Sequence, residues 1–482
     1  MFTLSETQKN TILKLKKFIF NNDKKYYILK GSAGTGKTTV ITKLLESDEL
    51  NNFKVVFSAT TNKAVSVLKQ ISSFDENKSY SFLTIHKLLN VKRKINKEGK
   101  EEFNFIEDNN KIIKSLSIYY YDLIIIDECS MLSNSLVLKL LTLKNFKGKI
   151  IFIGDTAQLP PVNEEIKLFD DKSIDSVELK EIMRYKGNIV NLANKVRSLV
   201  FDRNTKIKFK DYKCDTISIF KKFEKWFNSY INNLKLSLEK NTEINNLPIC
   251  LTYTNKQTEE INNKVREYIF NNNYDRFMTN DIIIFNNYYY SKKNSISYYT
   301  SQKAIIKDVT IQDLKIAFPY KILKSEGYCS IKDNSEIIDK FENIFDLLKN
   351  LIIKVWKITL SSDDIIYIVH ENNDDYYQEI IDLMTKKIKK FKNYLNKKHG
   401  KCSCYDKLIE SVWICFYESL IDIFADISYG YCITTHKSQG STFSNVYVDM
   451  NNIILKNQNH EESYRCLYTA ITRTSEKLNI LI

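Results

Sequence analysis

The chain has 482 residues and a formal net charge of +14, because 72 Lys and Arg residues outnumber 58 Asp and Glu residues. Hydrophobic residues make up 43% and aromatic residues 12% of the chain. This composition excludes a disordered chain, and the length predicts about three folding units. The positive charge favours a polyanionic partner, nucleic acid before an acidic membrane surface, with a solvated Lys-rich surface as the alternative.

Cysteine usage and hydropathy indicate the compartment. The nine Cys residues are odd in number and irregularly spaced, so a disulfide framework is not expected. No basic segment followed by an apolar one opens the sequence, and no uncharged apolar run reaches the roughly 18 residues of a membrane span. We therefore expect a soluble, intracellular protein without a membrane partner. Abundant Asn, Lys, Ile and Tyr are typical of an A/T-rich genome, such as that of a virus, which would place the protein in host cytoplasm or nucleus.

The first motif in chain order follows a short predicted strand at 26–30. Residues 31–38 read GSAGTGKT and precede a helical pattern, and they hold three of only 11 glycines. In this setting backbone N–H groups and the helix N-terminus bind phosphate oxygens, the Lys reaches the β- and γ-phosphates, and the hydroxyl after it binds Mg²⁺. The predicted nucleotide-binding residues are Gly31, Ser32, Ala33, Gly34, Thr35, Gly36, Lys37, Thr38 and Thr39, with Thr38 also as a metal ligand.

Two further apolar strands end in polar residues. The strand predicted at 123–126 is followed by Asp127 and Glu128, at the edge where open α/β sheets bind ligands. Asp127 is predicted to hold Mg²⁺ through water, and Glu128 to orient and deprotonate the attacking water. The strand predicted at 149–155 leads into a loop with two of the four prolines, where Gln158 is predicted to hydrogen-bond the γ-phosphate.

The remaining motifs form an ordered series along the chain. They are LSETQ at 4–8, SATTNKAV at 58–65, LTIHKLL at 83–89, ELKEIMRY at 178–185, LTYTNKQTEEIN at 251–262, THKSQGSTF at 435–443 and LYTAITRT at 467–474. Their order and spacing resemble those of superfamily 1B (RecD-like) DNA helicases, and most of all the Dda-like helicases of phages. The resemblance implies a fold, an activity and a further set of site residues.

The nucleotide contacts are the first part of what the resemblance implies. Gln8 would contact the adenine, although Ser5 and Gln8 also have the spacing of a helix capping box, and both roles stay open. Arg184 and Arg473 would be arginine fingers that reach the γ-phosphate from the second lobe. Gly440 would also belong to the nucleotide site. The implied ligands are ATP and Mg²⁺.

The resemblance assigns contacts with single-stranded DNA to hydroxyl, amide, ammonium and imidazole groups, which suit a sugar–phosphate backbone. These residues are Thr60, Asn62, Lys63, Thr84, His86, Thr435, His436 and Lys437. A hairpin is predicted to turn near Glu98 and Gly99, and in the helicases it resembles this insertion forms a pin that separates the duplex. Phe103 and Phe105 lie on one face of it, and would either stack on the last base pair or merely cover the hairpin.

The implied fold is α/β, with two RecA-like parallel-sheet lobes, an inserted β-hairpin pin (1B) and an inserted SH3-like barrel with a helical projection (2B). The predicted boundaries are 1–90 and 116–182 for lobe 1A, 91–115 for 1B, 183–272 and 429–482 for lobe 2A, and 273–428 for 2B. Within 2B, the aromatic and basic run at 288–299 suits base stacking or an ordinary strand, and the Lys-rich run at 386–401 suits a nucleic-acid backbone or a wet helix face.

The implied function is an ATP-dependent DNA helicase that translocates 5′ to 3′ on single-stranded DNA and unwinds duplex by coupling Mg-ATP hydrolysis to lobe closure. The alternative is an ATP-gated nucleic-acid clamp or remodeler that does not unwind. The implied partners are single-stranded DNA, forked duplex DNA and a single-strand-binding or replisome protein. We expect a monomer that acts in DNA replication, repair or recombination.

Overall fold

The computed structural model describes residues 4–71, 80–105, 118–161, 164–165, 167–181, 187–204, 207–272, 274–291, 296–317, 335–400 and 403–482. These residues form two compact units. The first unit comprises Met1–Asn90, Glu107–Asn272 and Gly430–Ile482, and the second comprises Val91–Ile106 and Asn273–Tyr429. Arg184 and the side chains of Lys63 and Phe105 lie outside the described residues.

The strands in chain order are β1 (Tyr26–Gly31), β2 (Val55–Ala59), β3 (Tyr80–Thr84), β4 (Val91–Ile95), β5 (Glu101–Phe105), β6 (Leu123–Ile126), β7 (Lys149–Gly154), β8 (Asp175–Leu179), β9 (Ile217–Phe220), β10 (Ile249–Thr252), β11 (Ile282–Phe285), β12 (Tyr289–Ser291), β13 (Ile296–Tyr298), β14 (Lys303–Lys315), β15 (Ile352–Leu360), β16 (Ile365–Val369), β17 (Ile427–Tyr429), β18 (Cys432–Thr434), β19 (Phe443–Asp449) and β20 (Thr474–Leu481). The helices are α1 (Glu6–Phe20), α2 (Lys37–Leu45), α3 (Asn62–Ile71), α4 (Ile85–Leu88), α5 (Asn134–Leu141), α6 (Asn188–Phe201), α7 (Phe223–Glu239), α8 (Asn255–Ile269), α9 (Ser335–Phe345), α10 (Asp374–His399), α11 (Ser403–Phe416), α12 (Met450–Lys456) and α13 (His460–Thr472).

The first unit contains a six-stranded sheet in the order β3-β2-β6-β7-β1-β8, and every neighbouring pair is parallel. Strands β6 and β7 are buried along their whole length, because a parallel sheet is covered on both faces and its inner strands read as continuous apolar runs. The carboxyl ends of β1, β2, β6 and β7 meet at one edge. Four segments follow these strand ends: the phosphate loop, the start of α3, Asp127 and the loop before Gln158.

A second sheet in the same unit has the order β18-β10-β19-β20-β9, again with parallel pairs. Helix α7 packs on this sheet through Trp226 and Tyr230, which are fully buried. Their rings meet Tyr447 of β19 at centroid distances of 5.8 and 5.1 Å. The predicted α/β fold with a parallel-sheet, RecA-like core is therefore confirmed.

The second unit is antiparallel. Its main sheet has the order β16-β15-β14-β11-β17, and two hairpins, β4-β5 and β12-β13, stand beside it as separate two-stranded sheets. Helices α9, α10 and α11 form an apolar cluster with β15, and Ile95 of β4 belongs to that cluster. Among the helices of the described residues, none is long and apolar enough to cross a membrane.

Candidate nucleotide and nucleic-acid sites

The phosphate loop has the backbone that its glycines permit. Gly34 and Gly36 have φ of +83° and +79°, a region that residues with a Cβ rarely adopt. A Cβ on Gly36 would also lie 2.5 Å from Nε2 of Gln8. The Lys37 ammonium folds back over the loop and donates to the carbonyl oxygens of Gly31 and Ser32 at 2.7 and 3.0 Å. The loop thus forms a small cradle with a cation at its centre.

Gln8 holds the start of α1 against this loop. The capping box is present: Gln8 N–H donates to Ser5 Oγ at 3.3 Å, and Ser5 N–H donates to Gln8 Oε1 at 3.1 Å. The amide Nε2 donates to the carbonyl of Thr35 at 3.2 Å. Gln8 is therefore a structural brace of the phosphate loop, and its contact with adenine stays a prediction.

Asp127 and Glu128 stand at the carboxyl end of β6. Asp127 Oδ1 accepts from the Glu128 N–H at 2.8 Å, and Glu128 has φ of +50°, an unusual value for a residue with a side chain. Burial and the neighbouring Glu128 carboxylate raise the pKa of Asp127 to about 6, against the attraction of Lys37. A desolvated carboxylate next to a phosphate loop suits a divalent cation, which replaces the lost water.

Gln158 lies between Glu128 and Arg473. In the amide orientation that satisfies both neighbours, its Nε2 donates to Glu128 Oε2 at 3.1 Å and its Oε1 accepts from Arg473 Nη2 at 3.2 Å. Arg473 follows α13 and is 5% exposed. Its Nε donates to the carbonyl of Thr469 and its Nη1 to that of Ser441, both at 3.2 Å. One hydrogen-bonded path therefore runs from the first sheet to the arginine beside the second.

A second path between the two sheets involves Arg465 and Tyr468 of α13 and Asp155 after β7, none of which was predicted as a site residue. The Tyr468 hydroxyl of α13 accepts from the Ala33 N–H at 3.2 Å and donates to Asp155 Oδ2 at 2.6 Å. Arg465 of the same helix donates to the carbonyl of Gln158 at 3.1 Å. Tyr468 belongs to the motif LYTAITRT at 467–474, in which only Arg473 was predicted to act at the site. The helical spacing from Arg465 to Tyr468 was the available signal, since these positions share one face.

The residues predicted to bind DNA on the first sheet lie at its carboxyl edge. Asn62 begins α3, and Thr60 precedes it with Oγ1 at 3.7 Å from the sulfur of Met131. Thr84 caps α4, with Oγ1 accepting from the Lys87 N–H at 3.3 Å. His86 follows in the same helix, and burial lowers its pKa, so its imidazole is neutral at pH 7. The DNA contacts of these residues stay predictions.

The motif at 435–443 follows β18 of the second sheet. Thr435 is fully buried and its hydroxyl donates to the carbonyl of Thr252 at 3.1 Å. Its side chain therefore packs against the sheet, and its contact with DNA stays a prediction. His436 and Lys437 are partly exposed. Gly440 has φ of +71°, and a Cβ there would lie 3.3 Å from Ala64 of α3. Gly440 thus allows this segment to approach α3, and its place in the nucleotide site stays a prediction.

The hairpin β4-β5 of the second unit turns through Asn96, whose N–H donates to the Lys100 carbonyl at 2.9 Å, and through Gly99 at φ +78°. The Trp413 indole of α11 packs where a Cβ on Gly99 would stand, 2.7 Å away. Four ion pairs of 2.8 to 3.0 Å join the hairpin to the helical side: Arg93–Asp422, Lys94–Glu410, Lys97–Asp406 and Lys392–Glu98. Phe103 is 62% exposed on this braced hairpin.

Two protein-family models match the chain. The model of an AAA domain matches residues 3–207, and the model of a UvrD-like helicase C-terminal domain matches residues 429–481. The first match covers the sheet that carries the phosphate loop, and the second covers the segment from β18 to β20. Together they include every motif at which the two parallel sheets meet.

Related chains extend the similarity beyond these segments. The chain is 31% identical to the uncharacterized protein R530 of Acanthamoeba polyphaga mimivirus, over 98% of this chain and 99% of that protein. It is 29% identical to the RecBCD enzyme subunit RecD of Buchnera aphidicola from Schizaphis graminum, over 94% of this chain and 69% of RecD. The ATP-dependent RecD2 DNA helicase of Deinococcus radiodurans is 30% identical over 29% of this chain and 17% of its own length.

Solved structures of Pif1 helicases also align with the chain. The Bacteroides protein in complex with ADP-AlF3 and single-stranded DNA covers 99% of this chain and 92% of its own, with a TM-score of 0.47 and 14% identity. The Candida albicans protein covers 100% of this chain and 94% of its own, with a TM-score of 0.45 and 17% identity. The special likeness to Dda-like helicases stays a prediction, because none of these related proteins bears that name.

Proposed function

The chain belongs to the RecD-like branch of superfamily 1 helicases, and we propose that it is an ATP-dependent DNA helicase that moves 5′ to 3′ on single-stranded DNA and unwinds duplex. The observation that carries this proposal is the path from Glu128 through Gln158 to Arg473. It links the carboxylate beside the phosphate loop with a guanidinium beside the second sheet. Such a link is what an enzyme needs if a change at the phosphates is to move one lobe.

Nucleotide binding is supported by the form of the cradle. The loop from Gly31 to Thr39, with Lys37 folded over it, would hold the phosphates of ATP, and Thr38 and Asp127 would hold Mg²⁺. The raised pKa of Asp127 and the small residues of the loop fit this pair of ligands. When bound, Mg²⁺ neutralises charge on the phosphate oxygens. Arg184 would add a second guanidinium.

Hydrolysis would then use this chain's own groups in distinct roles. Glu128 would accept the proton of the attacking water as a general base. Gln158 would keep the Glu128 carboxylate oriented. Because its amide also bonds Arg473, a shift of the amide on contact with the γ-phosphate would shift the guanidinium. The Arg473 guanidinium would stabilise charge that develops on the transferred phosphoryl group. Because Arg473 follows α13, its attraction to that charge draws the second sheet toward the first.

DNA binding would follow the edge where the two parallel sheets approach. We propose that the DNA strand contacts hydrogen-bond donors beside both sheets. These donors are Thr60, Asn62, Lys63, Thr84 and His86 beside the first sheet and His436 and Lys437 beside the second. The contact of Gly440 with Ala64 supports this placement, because it brings the two sets of segments together. Alternating grip by the two sets during ATP turnover would move the strand.

Strand separation would be the task of the second unit. We propose that residues 91–115 form the 1B pin and that 273–428 form a 2B domain with an SH3-like barrel and a helical projection. The two lobes would comprise 1–90 with 116–182 and 183–272 with 429–482. The exposed Phe103 suits stacking on the last base pair. The ion pairs and Trp413 would keep the hairpin stiff against the load of the duplex. Forked DNA is the substrate this implies.

The test measures unwinding of DNA duplexes that carry either a 5′ or a 3′ single-stranded tail, with and without ATP. We expect unwinding of the 5′-tailed duplex only, and only with ATP. Lys37→Ala should abolish both hydrolysis and unwinding, since the ammonium is the cation of the phosphate cradle, whereas Lys43→Ala removes an exposed lysine of the same helix and should change neither. DNA-stimulated hydrolysis without unwinding would favour the clamp, and unwinding from the 3′ tail would overturn the polarity.

A further inference from the structure

We propose that Tyr468 is a positioning residue of the ATPase site, whose hydroxyl ties α13 to the phosphate loop and so sets where the Arg473 guanidinium stands. This inference rests on the proposed ATPase function and adds a contact to it. The hydroxyl of Tyr468 forms this link. It makes two hydrogen bonds, and both partners lie in segments that follow strands of the first sheet.

The partners of this hydroxyl are elements of the nucleotide site. Ala33 is the third residue of the GSAGTGKT loop, and its N–H donates to the Tyr468 oxygen at 3.2 Å. Asp155 follows β7, and its Oδ2 accepts from the hydroxyl at 2.6 Å. Tyr468 is 1% exposed and Asp155 is 1% exposed. A hydrogen bond to a charged, buried acceptor is stronger than one between neutral groups, so this link is expected to be firm.

Asp155 is itself fixed from the other side. Its Oδ1 accepts from the Ala157 N–H at 3.0 Å and lies 3.7 Å from the Arg197 guanidinium. Burial and Asp155 raise the pKa of the Tyr468 hydroxyl well above its ordinary value, so it keeps its proton and remains a donor. The direction of both bonds is therefore settled: the loop N–H donates to the hydroxyl, and the hydroxyl donates to the carboxylate.

The link acts on Arg473 through the helix. Tyr468 lies in the last turns of α13, and Arg473 follows its final residue, with its Nε bonded to the carbonyl of Thr469. Thr469 also accepts the Leu159 N–H on Oγ1 at 3.3 Å. A helix end is stiff over one or two turns, so a shift of the hydroxyl shifts the guanidinium. Phosphates that enter the loop would change the Ala33 contact, and the change would reach Arg473 by this route.

The experiment compares Tyr468→Phe with Tyr230→Phe in the full-length protein. Both variants lose one hydroxyl from a fully buried ring of the first unit, but the Tyr230 hydroxyl donates to the Tyr431 carbonyl at 2.8 Å, away from the loop. We expect Tyr468→Phe to lower kcat for DNA-stimulated ATP hydrolysis about tenfold and to leave KM for ATP within about twofold. Tyr230→Phe should keep kcat, with a similar loss of thermal stability.

A double-mutant cycle isolates the route. In an Arg473→Lys background, which keeps the charge but not the planar fork, Tyr468→Phe should lower kcat by less than about twofold, because it acts through the guanidinium. An undiminished tenfold effect there, unchanged kcat in the single variant, or equal losses of kcat in Tyr468→Phe and Tyr230→Phe would each overturn the inference. The readout is ATP hydrolysis, so a wild-type protein that hydrolyses ATP without unwinding would refute the helicase proposal and leave this test intact.

Discussion

At the scale of single residues, Asp127 carries the clearest pH dependence. Its pKa is raised from 3.8 to about 6 in the folded protein, so the folded state binds this proton more tightly than the unfolded state. The free energy of unfolding should therefore fall as pH rises from about 4 to 6, by at most about 3 kcal/mol, which is the equivalent of this pKa shift. Denaturant titrations at pH 4.5 and 7, without Mg²⁺, measure this loss. Asp127→Asn should remove this difference in unfolding free energy between pH 4.5 and 7. An unchanged difference in the variant would mean that another group causes it.

Gln158 gives a second prediction at this scale. Gln158→Leu keeps the approximate volume but removes both hydrogen bonds, to Glu128 and to Arg473. We expect kcat for ATP hydrolysis to fall at least about tenfold while nucleotide binding persists, because only the orientation of the base and the guanidinium is lost. Gln257→Leu, which removes a hydrogen bond from the Gln257 amide to Asp449 in the same unit, is the matched control. Steady-state kinetics of ATP hydrolysis by both variants test this prediction. Normal turnover in Gln158→Leu would show that the amide does not link Glu128 with Arg473 during hydrolysis.

At the scale of elements, the hairpin β4-β5 depends on helix α11. Trp413→Ala removes the indole beneath Gly99 and the Nε1 donor to the Lys97 carbonyl. We expect unwinding of forked DNA to fall at least about fivefold, with DNA-stimulated ATP hydrolysis within about twofold of wild type, since a loosened hairpin no longer resists the duplex. Trp356→Ala, an equally buried Trp of the same unit at 4% exposure, is the control for lost stability. Parallel losses of unwinding in both variants would contradict a specific brace.

At the scale of the whole molecule, the parallel sheets were predictable and the second unit was only partly so. Apolar runs such as Leu123–Ile126 predict buried strands, and the polar residues after them predict where the carboxyl edge of the sheet lies. The association of 91–106 with 273–429 had no local signal, because pairs such as Lys97–Asp406 depend on side chains far apart in sequence. The buried position of Thr435 had no local signal either, because a motif fixes only the residue type, whereas the packing around the residue decides where its hydroxyl points.

The position of β20 has a consequence for synthesis on the ribosome. This strand is the last described element of the chain, yet it lies inside its sheet, between β19 and β9. Until residues 474–481 emerge, β9 has no neighbour in that sheet and β19 has an open side. The second sheet of a nascent chain therefore stays incomplete until then, and its unpaired strand edges are prone to non-specific association. By contrast, all six strands of the sheet that bears the phosphate loop have already been synthesised. A chaperone that acts on this protein would therefore be needed at least until residues 474–481 have emerged.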